Sequence, residues 1–206
     1  MRVRTQARRD AILEAAVALF EEVGYEAASM NELAKRVGGS KATLYGYFPS
    51  KEQLLVAVVE SVATAHLAEA TAGLARALES GTALRQALTD FGDEALKVLA
   101  NDRNAISVYR MVLAEAGRSD IGRLFHEAGP SQCVDTLSRL MEGEMARGHL
   151  SGADPRLRAT QFLSLLTAEI DARLYQRDPP PVAPAAIHAM VERAVDFFLL
   201  GAVPRA

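Results

Sequence analysis

Three serines, Ser29, Ser40 and Ser50, each stand at the start of an apolar-periodic run. A hydroxyl at such a position accepts from the first free N–H groups of a helix, and Ser29 with Glu32, like Ser50 with Gln53, has the spacing of a reciprocal cap. Between them, Ser40-Lys41-Ala42-Thr43-Leu44-Tyr45-Gly46-Tyr47 gathers one ammonium, four hydroxyls and the methyls of Ala42 and Thr43. That is an inventory for hydrogen bonding and contact, not for making bonds. His66, His126, His149 and His188 are scattered with no pair four residues apart, and Cys133 is alone. No glycine-rich phosphate loop or nucleophile elbow occurs, and neighbouring carboxylates such as Glu142 and Glu144 read as a solvated helix face. The expectation is a protein that is not an enzyme, with no catalytic residues, no metal site and no cofactor.

The elements that must position these groups are helices. Ala, Leu, Glu and Arg dominate and no stretch alternates strictly with period two, so the fold class expected is all-α, with about nine helices. A first helix from about Thr5 to Val23 turns Ile12, Ala16, Leu19 and Phe20 to one face and leaves through Gly24. The helix after Ser29 buries Met30, Leu33, Ala34 and Val37 and stops at Gly38-Gly39. A second short helix, Lys41 to Tyr47, turns Leu44 and Phe48 inward. Two short helices across a three-residue, glycine-containing turn form either a plain helical hairpin or a helix-turn-helix, whose second helix projects into a major groove about 12 Å wide. After Pro49 a longer pattern starts at Ser50, with Leu54, Leu55, Val58, Val59 and Val62 inward. Further helices are expected over Ala83 to Ala100, Asn104 to Ala116, Ser119 to Arg147 with a break or kink at Gly129-Pro130, Asp154 to Gln176, and Ala185 to Leu200.

At 206 residues, half of them apolar, the chain can build a sizeable core, and it divides by pattern into residues 1–50 and 51–206. A single cysteine suits a reducing interior. The start, Met1-Arg2-Val3-Arg4, leads into charge, and no run reaches the roughly 18 apolar residues that span a bilayer. A cytoplasmic, nucleoid-associated protein without a membrane partner is expected. The net charge of −3 conceals a polarity: the first 51 residues carry +2 and the remainder −5.

The string Glu32-Leu33-Ala34, Val37-Gly38, Ser40 to Tyr45, and Tyr47-Phe48-Pro49-Ser50-Lys51-Glu52-Gln53-Leu54-Leu55, with Ala11-Ile12-Leu13, Phe20, Gly24 and Tyr25 before it, closely resembles the amino-terminal DNA-binding domain of the TetR family of regulators. The resemblance spans roughly residues 8 to 55. It implies a three-helix helix-turn-helix domain followed by a helical ligand-binding and dimerisation domain, and double-stranded operator DNA as partner. The DNA-contacting residues would then be Ser29, Ser40, Lys41, Ala42, Thr43, Tyr45, Tyr47 and Lys51. Exposed N–H groups at the start of the second helix favour phosphate. Lys41 either donates to guanine or meets a phosphate, and the Ala42 or Thr43 methyl touches thymine. Tyr45 and Tyr47 offer hydroxyls to phosphate, with a purely structural aromatic as the alternative for Tyr45. For Lys51, and for Ser29, the resemblance implies further phosphate contacts. Arg2, Arg4, Arg8 and Arg9 form a basic leader that either reaches the minor groove or is a solvated tail. Two departures stand out: Gly39 replaces a branched apolar residue, which suggests a looser turn, and Gly46 removes a side chain relatives use.

Glu115 to Gly117, Phe125, Gly129-Pro130, Arg147-Gly148 and Phe162 resemble the AefR-like branch more weakly. For a small, largely apolar effector, the candidate pocket residues are His66, Phe91, Tyr109, Arg110, Met111, Phe125, Met141 and Phe162. For a homodimer interface, the apolar stripe Ile187, Met190, Val191, Ala194, Val195 and Phe198 pairs with Phe162, Leu163, Leu166 and Ile170, with packing inside one subunit as the alternative. The expected function is a ligand-responsive repressor that binds a pseudo-palindromic operator as a homodimer. The competing expectation is a helical adaptor or an effector-independent regulator.

Overall fold

The computed structural model describes residues 5–61, 65–117 and 119–204, with the side chains of Ala65, His66 and Leu78 outside the description. Among the described residues every element is helical: α1 (Gln6–Val23), α2 (Met30–Arg36), α3 (Lys41–Tyr47), α4 (Lys51–Val59), α5 (Ala65–Glu79), α6 (Leu84–Asn101), α7 (Arg103–Glu115), α8 (Ile121–Glu127), α9 (Pro130–Ala146), α10 (Pro155–Thr167) and α11 (Pro184–Ala202), with a 3-10 turn at Asp171–Tyr175. The all-α class therefore holds, but these eleven α-helices exceed the nine expected.

The excess has local causes. The expected interruption at Gly129-Pro130 is a break: α8 ends at Glu127 and Pro130 occupies the first turn of α9, where its missing N–H costs nothing. The pattern from Asp154 to Gln176 is α10 followed by the 3-10 turn, and that from Ser50 comprises α4 and α5 on either side of residues 62–64, which include Val62 and lie outside the described residues.

Two compact units result, residues 1–64 with 103–128, and residues 65–102 with 129–206. The packing units thus differ from a single cut at residue 50, because α4, α7 and α8 complete the core of the first. In that core Ile12, Ala16, Leu19 and Phe20 of α1 and Leu54, Leu55, Val58 and Val59 of α4 are buried with Val108, Met111, Val112 and Ile121. Phe20 meets Tyr25 edge to face at 5.6 Å.

The second unit is a bundle of α5, α6, α9, α10 and α11. Phe162 lies at its centre, 6.2 Å from Phe91 and 5.3 Å from Phe198 between ring centroids. Each aromatic so buried contributes about 1.5–3 kcal/mol through removal of its ring from water. Cys133 is in this core too, where burial pushes its thiol up to about 11 against a partly offsetting hydrogen bond with Thr71. Among the described residues no helix is long and apolar enough to cross a membrane.

Candidate nucleic-acid interface

Four side-chain caps set the first unit's helices. The Thr5 hydroxyl accepts the Arg8 N–H, Ser29 the Glu32 N–H at 3.1 Å, Ser40 the Thr43 N–H at 3.1 Å and Ser50 the Gln53 N–H at 3.2 Å. Each cap stabilises by about 1 kcal/mol and fixes where its helix begins. The turn between α2 and α3 is tied back to α2 by three backbone hydrogen bonds. Val37 N–H reaches the Leu33 carbonyl, Gly38 N–H that of Lys35 and Gly39 N–H that of Ala34, all at 3.0–3.1 Å. Gly38 has φ +63°, which glycine takes without steric cost. The looser turn suggested by Gly39 is therefore not what the structure shows.

Helix α3 is held from below by Leu44 and, just beyond it, Phe48, exposed by only 1% and 3%. Lys41, Ala42 and Tyr45, with Tyr45 three residues from Ala42 and four from Lys41, are all exposed, Tyr45 by 46%. No carboxylate occurs on α3. Ser40 is exposed, but its hydroxyl is engaged by the Thr43 N–H and by the Thr43 hydroxyl at 2.9 Å. Ser29 is exposed and occupied as the α2 cap. Tyr47 is half-buried, and its hydroxyl accepts the Thr5 N–H at 3.0 Å, which leaves its own proton available to donate.

Lys51 departs from the phosphate contact implied for it. Its ammonium donates to the carbonyls of Tyr25 at 3.0 Å, Glu26 at 3.2 Å and Ala28 at 3.4 Å, and it stands 4.3 Å from the Tyr25 ring centroid. All three donors are committed within the fold. Those carbonyls also offset the unfavourable placement of a cation in the first turn of α4. Beside it, burial together with the charges of Glu52 and Glu26 pushes the Tyr25 phenol up to about 12. A hydrogen bond from Ser50 holds the Glu52 carboxyl below its ordinary range. Of the basic leader, Arg2 and Arg4 lie outside the described residues. Arg8 Nη2 donates to the Val37 carbonyl at 2.6 Å, and the Arg9 guanidinium stands 5.4 Å from the Phe48 ring centroid. Nothing in the sequence flags these partners, which lie between 23 and 39 residues away.

The pocket candidates do not form one group. Tyr109 and Phe125 meet edge to face at 5.5 Å and, with Met111 and Arg110, belong to the first unit. Phe91, Met141 and Phe162 are fully buried in the second. The His66 side chain lies outside the described residues.

Most of the interface candidates face inward. Phe162, Leu166, Ile170, Ile187, Val191, Ala194, Val195 and Phe198 are exposed by 0–7% and form the core of the second unit, so they pack within one subunit. Leu163 and Met190 are half-buried and packed against that core. The other side of α11 exposes Phe197 by 68% and Leu200 by 80%, and α10 exposes Leu157 by 54%. Small residues Ser164 of α10 and Gly201 of α11 are exposed, as is Ala168 just after α10. Arg193 of α11 pairs at 2.6 Å with Glu169 in the turn after α10, and that hydrogen bond holds the Glu169 carboxyl below its ordinary range. Among the described residues no group of three or more His, Cys, Asp or Glu could hold a metal ion.

A family model described as bacterial regulatory proteins, tetR family, matches residues 12–58, and one described as AefR-like transcriptional repressor, C-terminal domain, matches residues 86–201. The transcriptional activator FasR of Mycolicibacterium smegmatis is 41% identical over 81 residues, 39% of this chain and 35% of its own length. The chain thus spans about a third of the length of that curated relative. The solved structure of the flavonoid-responsive regulator FrrA is 34% identical, covering 98% of this chain and 100% of the other with a TM-score of 0.71. A regulator from Mesorhizobium loti shares the fold at a TM-score of 0.78 and 24% identity, covering 98% of this chain and 100% of the other.

Proposed function

Because the chain belongs to the TetR family of bacterial transcriptional regulators, which bind DNA and are not enzymes, we propose that it is a ligand-responsive repressor acting on a pseudo-palindromic operator as a homodimer. The observation that carries this proposal is the exposed face of α3, with Lys41, Ala42 and Tyr45 free of carboxylates above a buried Leu44. Lys41 supplies the charge for phosphate or guanine, the Ala42 methyl meets thymine, and the Tyr45 and Tyr47 hydroxyls donate to phosphate. Ser40 and Thr43 stand at the start of α3 and Ser29 at the start of α2, and their hydroxyls serve chiefly to set those helix starts.

Two copies must place their α3 helices one helical turn of DNA apart, about 34–36 Å. The exposed Leu157, Phe197 and Leu200 face, with its small residues, is the surface we assign to the homodimer. Repression accords with the description of the family model matching the carboxyl part. The effector is a small, largely apolar molecule, an assignment favoured by the aromatic interior around Phe162 and by the description of FrrA as flavonoid-responsive. It shifts DNA occupancy only if it binds the two conformations unequally.

Selection of bound fragments from genomic DNA at stated salt tests this reading. Enrichment of an inverted repeat is expected, and loss of that enrichment with some apolar small molecule identifies the effector class. The absence of any enriched motif would favour the helical adaptor, and a motif insensitive to every small molecule the effector-independent regulator.

A further inference from the structure

The first turn of α1 touches the helix-turn-helix at three points. Thr5 N–H donates to the Tyr47 hydroxyl at the end of α3, Arg9 lies over the Phe48 ring just beyond it, and Arg8 donates to the Val37 carbonyl at the end of α2. Arg8 is the contact that bears on the turn itself. A guanidinium at a helix C-terminus satisfies a carbonyl with no partner inside the helix and lies at the negative end of the dipole. A Cβ at Gly39 would stand 2.9 Å from Arg8 Nη2, the far end of a flexible side chain, so a side chain there would compete with the guanidinium for its seat on the Val37 carbonyl. Gly39 does not have a positive φ, so its backbone would accept a side chain without strain.

We propose that Arg8 is a positioning residue for DNA reading: seated on the Val37 carbonyl in the space Gly39 leaves, it fixes the turn that aims α3, and it does not contact DNA. This rests on the DNA-reading role given to α3 above. Arg8 and Gly39 form one device in which the missing side chain and the guanidinium replace the packing that a branched residue would supply at that turn.

The geometry is tested first without DNA, by melting temperatures of Arg8→Ala, Gly39→Val and the double variant. Gly39→Val should lower the melting temperature while Arg8 is present and leave it unchanged or raised once Arg8 is alanine; equal effects in both backgrounds overturn the coupling. The second measurement is affinity for a duplex selected from a random-sequence pool by the unaltered protein, compared with an unrelated duplex across a salt series. Arg8→Ala should weaken binding of the selected duplex about tenfold, weaken the unrelated duplex less, and leave the slope of log affinity against log salt unchanged. A slope reduced by about 0.9, the signature of one lost phosphate contact, overturns the positioning role. A pool from which the unaltered protein enriches nothing overturns the DNA-reading role itself, and this proposal with it.

Discussion

A Cβ on Gly92 would stand 2.6 Å from Val191 Cγ1 and 3.0 Å from Leu166 Cδ1, so α6 meets α10 and α11 at a point where only a glycine fits. Neither neighbour is the loose end of a long polar side chain; both are buried in the core of the second unit. Gly92→Ala should destabilise by about 1–3 kcal/mol through overpacking. Denaturant unfolding checks this, and a variant at least as stable as the parent would show that the helices can part without cost.

Lys51 is expected to contribute to folding and not to DNA affinity. Lys51→Met leaves the carbonyls of Tyr25, Glu26 and Ala28 without that donor, at a cost of about 1–3 kcal/mol. The salt dependence of DNA binding should be unchanged. Unaltered stability with a slope reduced by about 0.9 would restore the phosphate role.

The exposed face of α3 predicts the converse. Lys41→Ala with Tyr45→Ala should weaken DNA binding about a hundredfold, since each contact contributes on the order of 1–3 kcal/mol. The melting temperature should hardly move, because both side chains are exposed. Equal affinity for the double variant and its parent would move DNA recognition elsewhere.

Adjacent phenylalanines of α11 should respond oppositely. Phe197→Glu or Leu200→Glu should yield folded monomers in sedimentation, since these side chains are exposed by 68% and 80%. Phe198→Glu places an unpaired charge in the core beside Phe162 and should unfold the unit, a cost of several kcal/mol. A dimeric Phe197→Glu variant would place the interface on another face.

His188 donates from Nδ1 to Asp93 at 2.8 Å, and this hydrogen bond, followed by the Asp93 charge and that of Glu192, raises its pKa above the ordinary 6.5. A raised folded-state pKa means that the stabilisation is complete below about pH 6.5 and is lost as pH rises through the higher folded value. The stability difference between the parent and His188→Gln should therefore shrink between pH 6 and pH 9. Proton NMR titration of His188 in Asp93→Asn should show its pKa returned towards 6.5; an unmoved titration would exclude the pair as its cause.

What could be read from the sequence follows physical range. The caps at Ser29, Ser40 and Ser50 act within three residues, and all three are formed. The buried faces of α1 to α4 follow from helical periodicity and one core. Periodicity could not assign α11, which carries apolar residues on two sides. Ile187, Val191 and Phe198 look continuous, yet only packing against α6 and α10 determines that this stripe faces inward and that Phe197 and Leu200 face outward. Nor could it show what Lys51 and Arg8 hold, since backbone carbonyls carry no sequence signal.

The segmented make-up of the first unit bears on how portable its helix-turn-helix is. Residues 1–50 alone would lack α4 as well as Val108, Met111, Val112 and Ile121, the side chains that keep Ile12, Leu19 and Phe20 from water. A fragment cut there would present a raw apolar face and tend to aggregate. Grafting this reader onto another sensor therefore means transplanting α7 and α8 with it, as an inlay of two separate stretches and not as a cassette.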